Sequence, residues 1–320
     1  FICGDCWLDL FDFLPPSQLG LEIALISRRF DCFVEEHFKT RKWTLANEIK
    51  IRGVIGQNGA IEMGIVNSDG KALPIPQIPL PNKVIGFGSI FIHFIDQNVL
   101  TFLRRFHRFF SVCATKLYIL TENVRISEFV MRNIWPLFKN TIHVMCLNPI
   151  AFRQMRQLAP SMLNDCPSLR VVFFDGGILP EFPPDDSANA SDGQAVAKWL
   201  FTPRPDLTKI LGIENLTVDQ LLTTVEQIKA AFSSASSPVN FSISVDFPSS
   251  SPIDSVEPFQ LTNEFTGEQL VLLQENAYGF VLIRCPIVPD DKKRQKFKKE
   301  LGDRWNQMKI AFTDQLVDNG

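Results

Sequence analysis

The sequence is poor in the residues and motifs that most enzymes need. It holds only 4 His and 2 Tyr, and the His residues fall at no spacing that suits a metal site or a catalytic triad. No GxSxG, HExxH or Walker motif occurs. These absences favour a protein that is not an enzyme and that uses neither a cofactor nor a metal.

Long apolar runs are missing as well. A membrane helix takes about 18 apolar residues or more, and the most apolar segment, VIGFGSIFIHFI, is shorter and contains His93. The chain begins at Phe1 and shows no signal peptide. The 7 Cys are odd in number and scattered along the chain, which is typical of buried, unpaired thiols in a reduced compartment. We therefore expect a protein of the cytoplasm or nucleus that has no membrane partner.

Neither sign of charge dominates the chain. Lys and Arg number 32 against 35 Asp and Glu, which gives a net charge of −3. This balance gives no support to a nucleic-acid partner. The basic run KKRQKFKK at 292–299 fits the solvated face of a charged terminal helix, with a nuclear signal as the alternative.

What the sequence does have is an apolar opening segment. A first short helix is predicted to carry one apolar face, formed by Trp7, Leu10, Phe11 and Leu14. After Pro15-Pro16, a second helix is predicted to carry another, formed by Leu19, Ile23, Ile26 and Phe30. Two short helices cannot hide these faces from each other, so the faces dock on the rest of the chain or on another protein.

The rest of the chain alternates between strand-like and helix-like segments. The buried strand centres are predicted at Ile92, Leu117, Ile142 and Leu169, about 25 residues apart, a spacing typical of leucine-rich solenoid repeats. If these residues point inward, their neighbours point outward and align as one candidate target-binding column: His93, Tyr118, His143 and Arg170. The alternatives are a solvated surface that touches nothing and strand positions covered by a terminal segment. The segment PPDDSANASDG at 183–193 lacks periodicity and predicts an exposed loop.

The opening segment resembles an F-box. LFDFLPPSQL and LISRRFDCFV match the family's order of a helix, a Leu-Pro corner, a second helix and Ser-Arg-Arg-aromatic, with Phe30 at the aromatic position. Beyond it, LPIPQIPLPNKVIGF, RISEFVMRNIWPLF and SDGQAVAKWLFTPRP are similar to phrases of a nematode-expanded group of F-box proteins.

The resemblance implies a partner. F-box proteins dock on a Skp-type adaptor and, through it, on a cullin in an SCF-type ubiquitin ligase. The residues that match the adaptor-binding portion, with the last two as supports, are Trp7, Leu10, Phe11, Leu14, Pro15, Ile26 and Phe30.

The predicted architecture is α/β. We expect a three-helix F-box over 1–45, a β-hairpin and Pro-rich connector over 46–88, an irregular leucine-rich-repeat-like β-α solenoid over 89–288 and a charged helix over 289–320. The expected function is substrate receptor of a cullin-based ubiquitin ligase that holds an unknown protein target. The alternative is a protein-interaction module that acts without ubiquitin ligase assembly, and an α/β enzyme ranks last.

Overall fold

A computed structural model describes most of the chain. The described residues are 3–14, 19, 23–40, 43–55, 61–66, 72–74, 84–92, 97–110, 115–119, 121–204, 208–248, 255–286 and 307–310. The chain is mixed α/β and divides into two compact units. Unit 1 comprises Phe1–Thr115 with Asp303–Gly320, and unit 2 comprises Lys116–Gly302. The boundary between the two units lies between Thr115 and Lys116.

Unit 1 combines helices with a mixed sheet. Its elements are α1 (Gly4–Phe11), α2 (Arg28–Thr40), β1 (Trp43–Ile55), β2 (Ile61–Val66), β3 (Ala72–Pro74), β4 (Val84–Ile92), α3 (Gln97–Phe110) and β13 (Gln307–Ile310). The strand order is β13-β4-β1-β2-β3. The antiparallel pair β1–β2 brings Ile55 opposite Ile61, as the Asn58-Gly59 turn signal predicts. The Pro-rich stretch 75–83 lies outside the described residues.

The last strand of unit 1 differs from the sequence-based prediction. The pattern predicts a charged helix over the final segment, but Gln307–Ile310 forms β13, which runs parallel to β4. Met308 and Ile310 alternate with Gln307 and Lys309, a period of two that fits a strand better than a helix. The basic run at 292–299 lies outside the described residues.

Unit 2 alternates strands and helices and ends in a meander. Its elements are β5 (Thr115–Ile119), α4 (Val124–Phe129), a π-helical turn (Val130–Ile134), α5 (Trp135–Phe138), β6 (Ile142–Leu147), α6 (Pro149–Leu158), β7 (Val171–Phe174), α7 (Asp192–Phe201), β8 (Lys209–Glu214), α8 (Val218–Ser233), β9 (Phe241–Asp246), β10 (Phe259–Asn263), β11 (Glu268–Asn276) and β12 (Gly279–Pro286). Over the described residues they form an eight-stranded sheet of order β10-β11-β12-β9-β8-β7-β6-β5. Strands β6 to β9 are parallel, and β12, β11 and β10 continue antiparallel.

The π-helical turn between α4 and α5 has a local cause. Pro136 lies at the start of α5 and has no backbone N–H to donate to the preceding turn. The backbone widens over Val130–Ile134 and thereby avoids the clash of the proline ring with the helix. The chain keeps its direction, and Val130, Ile134 and Trp135 remain buried. Among the described helices, none is long and apolar enough to pass through a bilayer.

The register of the unit 2 sheet fixes which side chains meet the helices. Met145, Val172, Leu211, Ile243 and Leu282 are partners on successive strands and are all buried. Successive side chains of a strand point to opposite faces, so these residues share one face.

Helices pack on that same face. Phe174, two residues after Val172, lies 5.0 Å by ring centroid from Phe152 of α6, and Phe241 lies 5.0 Å from Phe201 of α7. We call this side the helix-covered face. The opposite side carries Phe173 and is called the Phe173 face.

A buried ion pair joins β11 and β12 of the meander and lies against the end of α8. The Arg284 guanidinium donates to Glu268 Oε2 over 2.6 Å, and each of the two residues is about 1% exposed. Glu268 also accepts from the Val239 backbone N–H, and Arg284 donates to the Ser237 carbonyl. The guanidinium lies 5.3 Å from the centre of the Phe232 ring near the end of α8. With these hydrogen bonds in place, neither charge is left unpaired in the core.

The segment 183–193 is irregular up to Ser191, as predicted, but its last two residues begin α7, and the segment is anchored. Its tip at 187–189 is exposed. Arg156 of α6 donates to the carbonyls of Ser187 and Ala190 and to Asp192 Oδ1 at 2.8 Å. Arg153 also pairs with Asp192, at 3.0 Å, but from an exposed position. One buried arginine therefore fixes a segment whose composition indicates only a loop.

This anchoring makes a matched pair of variants informative. We expect Arg156→Met to lower the free energy of unfolding by about 3 kcal/mol, because it removes a buried guanidinium that bonds to Asp192 and to two backbone carbonyls of the segment. Arg153→Met should cost less than about 1 kcal/mol, because that arginine is exposed to solvent. Urea unfolding measures both, and limited proteolysis should cut 183–193 faster in the Arg156 variant alone. Equal losses in the two variants would contradict the anchor.

Lys209 is buried at the carboxyl end of α7. Its Nζ donates to the carbonyls of Trp199, Leu200 and Thr202, and it lies 5.6 Å from the Trp199 ring centre. Burial, with a smaller effect of the nearby Arg204, lowers the pKa of Lys209 from its ordinary value of 10.5 to about 7. The amine thus completes the end of a helix from inside the core.

The lowered pKa predicts a pH dependence of stability. Between pH 7 and 10.5 the unfolded chain holds a proton on Lys209 that the folded chain has released, so raising the pH stabilises the fold. The contribution is full above 10.5 and is lost as the pH falls to about 7. The free energy of unfolding of the wild type minus that of Lys209→Met should therefore rise as the pH increases from 7 to 10.5, as urea unfolding can measure. A difference that is constant with pH would show that Lys209 stays protonated in the folded chain.

Candidate protein-binding surfaces

The two N-terminal helices of unit 1 enclose a small core of their own. Phe11 of α1, Val34 of α2 and Leu19, which lies between the two helices in sequence, are buried together. Trp7 packs edge-on against Phe30 with ring centroids 4.8 Å apart. The Phe11 ring also meets His37, at 5.5 Å. The apolar faces seen in the sequence are therefore used partly within the segment itself.

The adaptor-binding residues predicted from the sequence separate into two groups. Phe11 is fully buried, and Trp7 and Phe30 pack on each other, so these three build the local core. Leu10 and Ile26 are 49% and 63% exposed and offer apolar surface to a partner. Their contact with an adaptor stays a prediction.

Two further predicted adaptor residues complete the set. Leu14 is half-buried against the local core, and Pro15 lies outside the described residues. Sequence periodicity missed two other exposed apolar side chains, Phe13 and Leu25. Neither belongs to the predicted apolar faces, so the only sequence signal for them is that they are large apolar residues in a short, apolar-rich segment.

Cys3 and Cys6 form a close pair at the start of α1. Their Sγ atoms lie 3.1 Å apart, and both residues are exposed. The hydrogen bond with Cys6 lowers the pKa of Cys3, and the same bond raises the pKa of Cys6. Over the residues that the structure describes, no group of His, Cys, Asp and Glu side chains could hold a metal ion.

Two residues of the predicted target-binding column are neighbours on the helix-covered face. The Arg170 backbone N–H donates to the His143 carbonyl at 2.9 Å, and Arg170 directly precedes β7. The register places His143 two residues before Met145 and Arg170 two before Val172, so both share the face of those buried residues. The His143 ring bonds through Nδ1 to the Thr141 carbonyl at 2.8 Å. Both side chains are half-buried.

Tyr118 lies on the other face. Burial, followed by the charge and the hydrogen bond of the Cys146 side chain, raises the pKa of Tyr118 to about 12. Cys146 is three residues after His143 on β6, an odd spacing that puts the two on opposite faces. Tyr118 therefore does not align with His143 and Arg170 as the sequence pattern predicts, and His93 lies outside the described residues.

The misalignment has a physical reason. The predicted inward residues Ile92, Leu117, Ile142 and Leu169 are indeed buried. However, Met145 on the helix-covered face of β6 and Val144 on its Phe173 face are buried too. A strand buried on both faces has no polar alternation, so a buried residue does not tell which side its neighbour takes. Target binding by the four column residues stays a prediction that the geometry does not test.

The structure reveals an exposed aromatic residue that the sequence pattern did not single out. Phe173 is 40% exposed, although it belongs to the uninterrupted apolar run VVFF. A signal was present one strand away, where Gly212 interrupts β8. An isolated glycine in a strand indicates that another group approaches the backbone closely. That group is the Phe173 ring.

Comparison with known proteins returns no match. The chain matches no family model, no curated protein and no solved structure.

Proposed function

We propose that the chain is a substrate receptor of a cullin-based ubiquitin ligase. In this proposal the N-terminal segment is an F-box that docks on a Skp-type adaptor. Unit 2 is an irregular leucine-rich-like solenoid that holds the target protein. The chain itself performs no chemistry. It raises the rate of ubiquitin transfer by keeping the target close to the ubiquitin-carrying enzyme.

The observation that carries the proposal is the exposed apolar surface of the N-terminal segment, at the end of α1 and in the turns between α1 and α2. Leu10, Phe13, Leu25 and Ile26 are all exposed, although Phe11, Leu19 and Val34 already supply a local core. Exposed apolar side chains concentrated in a short segment mark a protein-binding surface. They belong to the stretch that resembles an F-box, and the family's adaptor is a partner that would cover them.

The strand order of unit 2 supports the second half of the proposal. Strands β5 to β9 follow one another across the sheet in chain order, with helices between them in sequence. Stacked β-α repeats produce this order because each unit pairs with the next. Such sheets present side chains from successive strands to one partner.

The test is co-purification with a Skp-type adaptor. We expect the wild-type chain to bring the adaptor down, and Leu10→Asp/Ile26→Asp to lose at least tenfold in affinity, because the new carboxylates enter a desolvated interface. Leu158→Asp is the matched control, since this leucine of α6 is also an exposed apolar residue. It should bind as the wild type does.

Thermal unfolding accompanies the binding measurement. The exposed positions predict that both variants unfold near the wild-type temperature. If the folded Leu10→Asp/Ile26→Asp variant keeps full adaptor affinity, the docking surface is wrong. If the wild-type chain does not bind the adaptor at all, the second candidate, an interaction module without a ligase, replaces the proposal.

A further inference from the structure

One row of side chains crosses the Phe173 face of the unit 2 sheet. The register makes neighbours of the following residues on six strands: Cys146, Phe173, Gly212, Ser244, Val281 and Leu273. Tyr118 of β5 extends the row through its hydrogen bond with Cys146. Strands lie about 4.8 Å apart, so the six positions span about 24 Å. We call this set the Phe173 row.

The row is apolar and partly exposed. Phe173 is 40% exposed and Leu273 is 47% exposed, while Val281 between them is half-buried. By contrast, Phe174 and Leu272, which directly adjoin the two exposed residues on the helix-covered face, are about 1% exposed. An aromatic and an aliphatic side chain thus meet solvent on strands whose other side forms the core.

Gly212 shapes the centre of the row. A Cβ atom at this position would come within 2.1 Å of Phe173 Cδ1, so the ring lies directly over the glycine backbone. The ring of Phe173 therefore lies across the neighbouring strand and presents a flat aromatic surface. Ser244 on the next strand is small and half-buried, so the row stays shallow there as well.

Acidic residues border the row where the parallel strands end. Glu214 ends β8 and Asp246 ends β9, and the two are register partners on the Phe173 face. Asp175 follows β7, the next strand across. All three are exposed, and no ion pair joins them to a cation among the described residues.

The two adjoining carboxylates are unfavourable for the isolated sheet. Like charges directly opposite on paired strands repel each other. A Lys or Arg from outside would relieve this repulsion, and its charge would be complementary to the border as a whole.

We propose that the Phe173 row binds an extended segment of the target protein in which a Lys or Arg lies between bulky apolar side chains. The apolar side chains cover Phe173, Val281 and Leu273, and the cation meets Glu214 and Asp246. This inference rests on the proposed receptor function and names the chemistry of its target. A polypeptide fits because the row is long and shallow, whereas small molecules bind in enclosed clefts.

The experiment uses the full chain as bait and a phage-displayed library of random peptides as the probe. We expect enriched peptides to combine a Lys or Arg with bulky apolar residues on both sides of it. Binding of a synthetic peptide from this set should fall at least tenfold in Phe173→Ser/Leu273→Ser. Phe265→Ser is the control, because this phenylalanine is 94% exposed in a turn outside the row, and it should bind normally.

A second variant tests the charged border. Glu214→Gln/Asp246→Asn keeps the shape of both side chains and removes their charge. It should weaken peptide binding severalfold and flatten its salt dependence, since screening acts on the lost attraction. If Phe173→Ser disturbs the packing over Gly212, Leu273→Ser alone and the charge variant still decide the matter. Circular dichroism and thermal unfolding identify that case.

Three outcomes overturn the inference. One is enrichment of peptides that bind all variants equally, or no enrichment. Another is concentration-dependent self-association of the wild type that Leu273→Ser abolishes, which makes the occupant a second copy of the chain. The third is binding to phosphatidylcholine vesicles that depends on Phe173. Adaptor co-purification is measured on the same variants. If it persists while peptide binding is absent, the inference fails and the proposed function stands. If peptides bind and the adaptor does not, the proposed function fails and the peptide-binding inference stands.

Discussion

The register of the unit 2 ladder is the constraint on which the rest of that unit depends. A slip of one residue would exchange the two faces of a strand. It would turn Met145 and Val172 away from the helices and bring Phe173 beneath them. The hydrogen bond from the Arg170 amide to the His143 carbonyl extends this register to the residue before β7. The buried pair Arg284–Glu268 joins β11 to β12, and the bond from Arg284 to the Ser237 carbonyl ties these antiparallel strands to the segment after α8. An interaction surface on this sheet is therefore a consequence of how the core is packed.

The N-terminal segment divides its apolar residues between stability and recognition. Phe11 and the edge-on pair Trp7–Phe30 serve the local core. Leu10 and Ile26 remain exposed. Short helices gain little stability from helix propensity, so a few buried rings must hold the arrangement. This division explains how one short stretch can both fold and offer apolar surface, which is what the proposed adaptor contact requires.

Much of the element order could be predicted from the sequence, because helix and strand periods differ. The stretch QNVLTFLRRFHRFF has a helical apolar period and forms the helix Gln97–Phe110, and the strand-like stretches on either side of Gly279 form the hairpin of β11 and β12. The facing of individual strands could not be predicted. The register places His143 and Arg170 on the helix-covered face, and the sequence gives no sign of this because β6 and β7 are buried on both faces. Phe173 was hidden in an apolar run, and only the tertiary contact with Gly212 shows its role. Composition likewise gives no sign of the anchor at Arg156.

Hydrogen exchange of the full chain, with and without a purified Skp-type adaptor, tests the central claim most directly. Docking should remove the exposed apolar side chains of the N-terminal segment from water and suppress local opening of α1 and α2. The account predicts slower amide exchange in α1 and α2 on adding the adaptor, with unchanged exchange in β6 to β9. Unchanged exchange in α1 and α2 at saturating adaptor, or protection confined to unit 2, would contradict it.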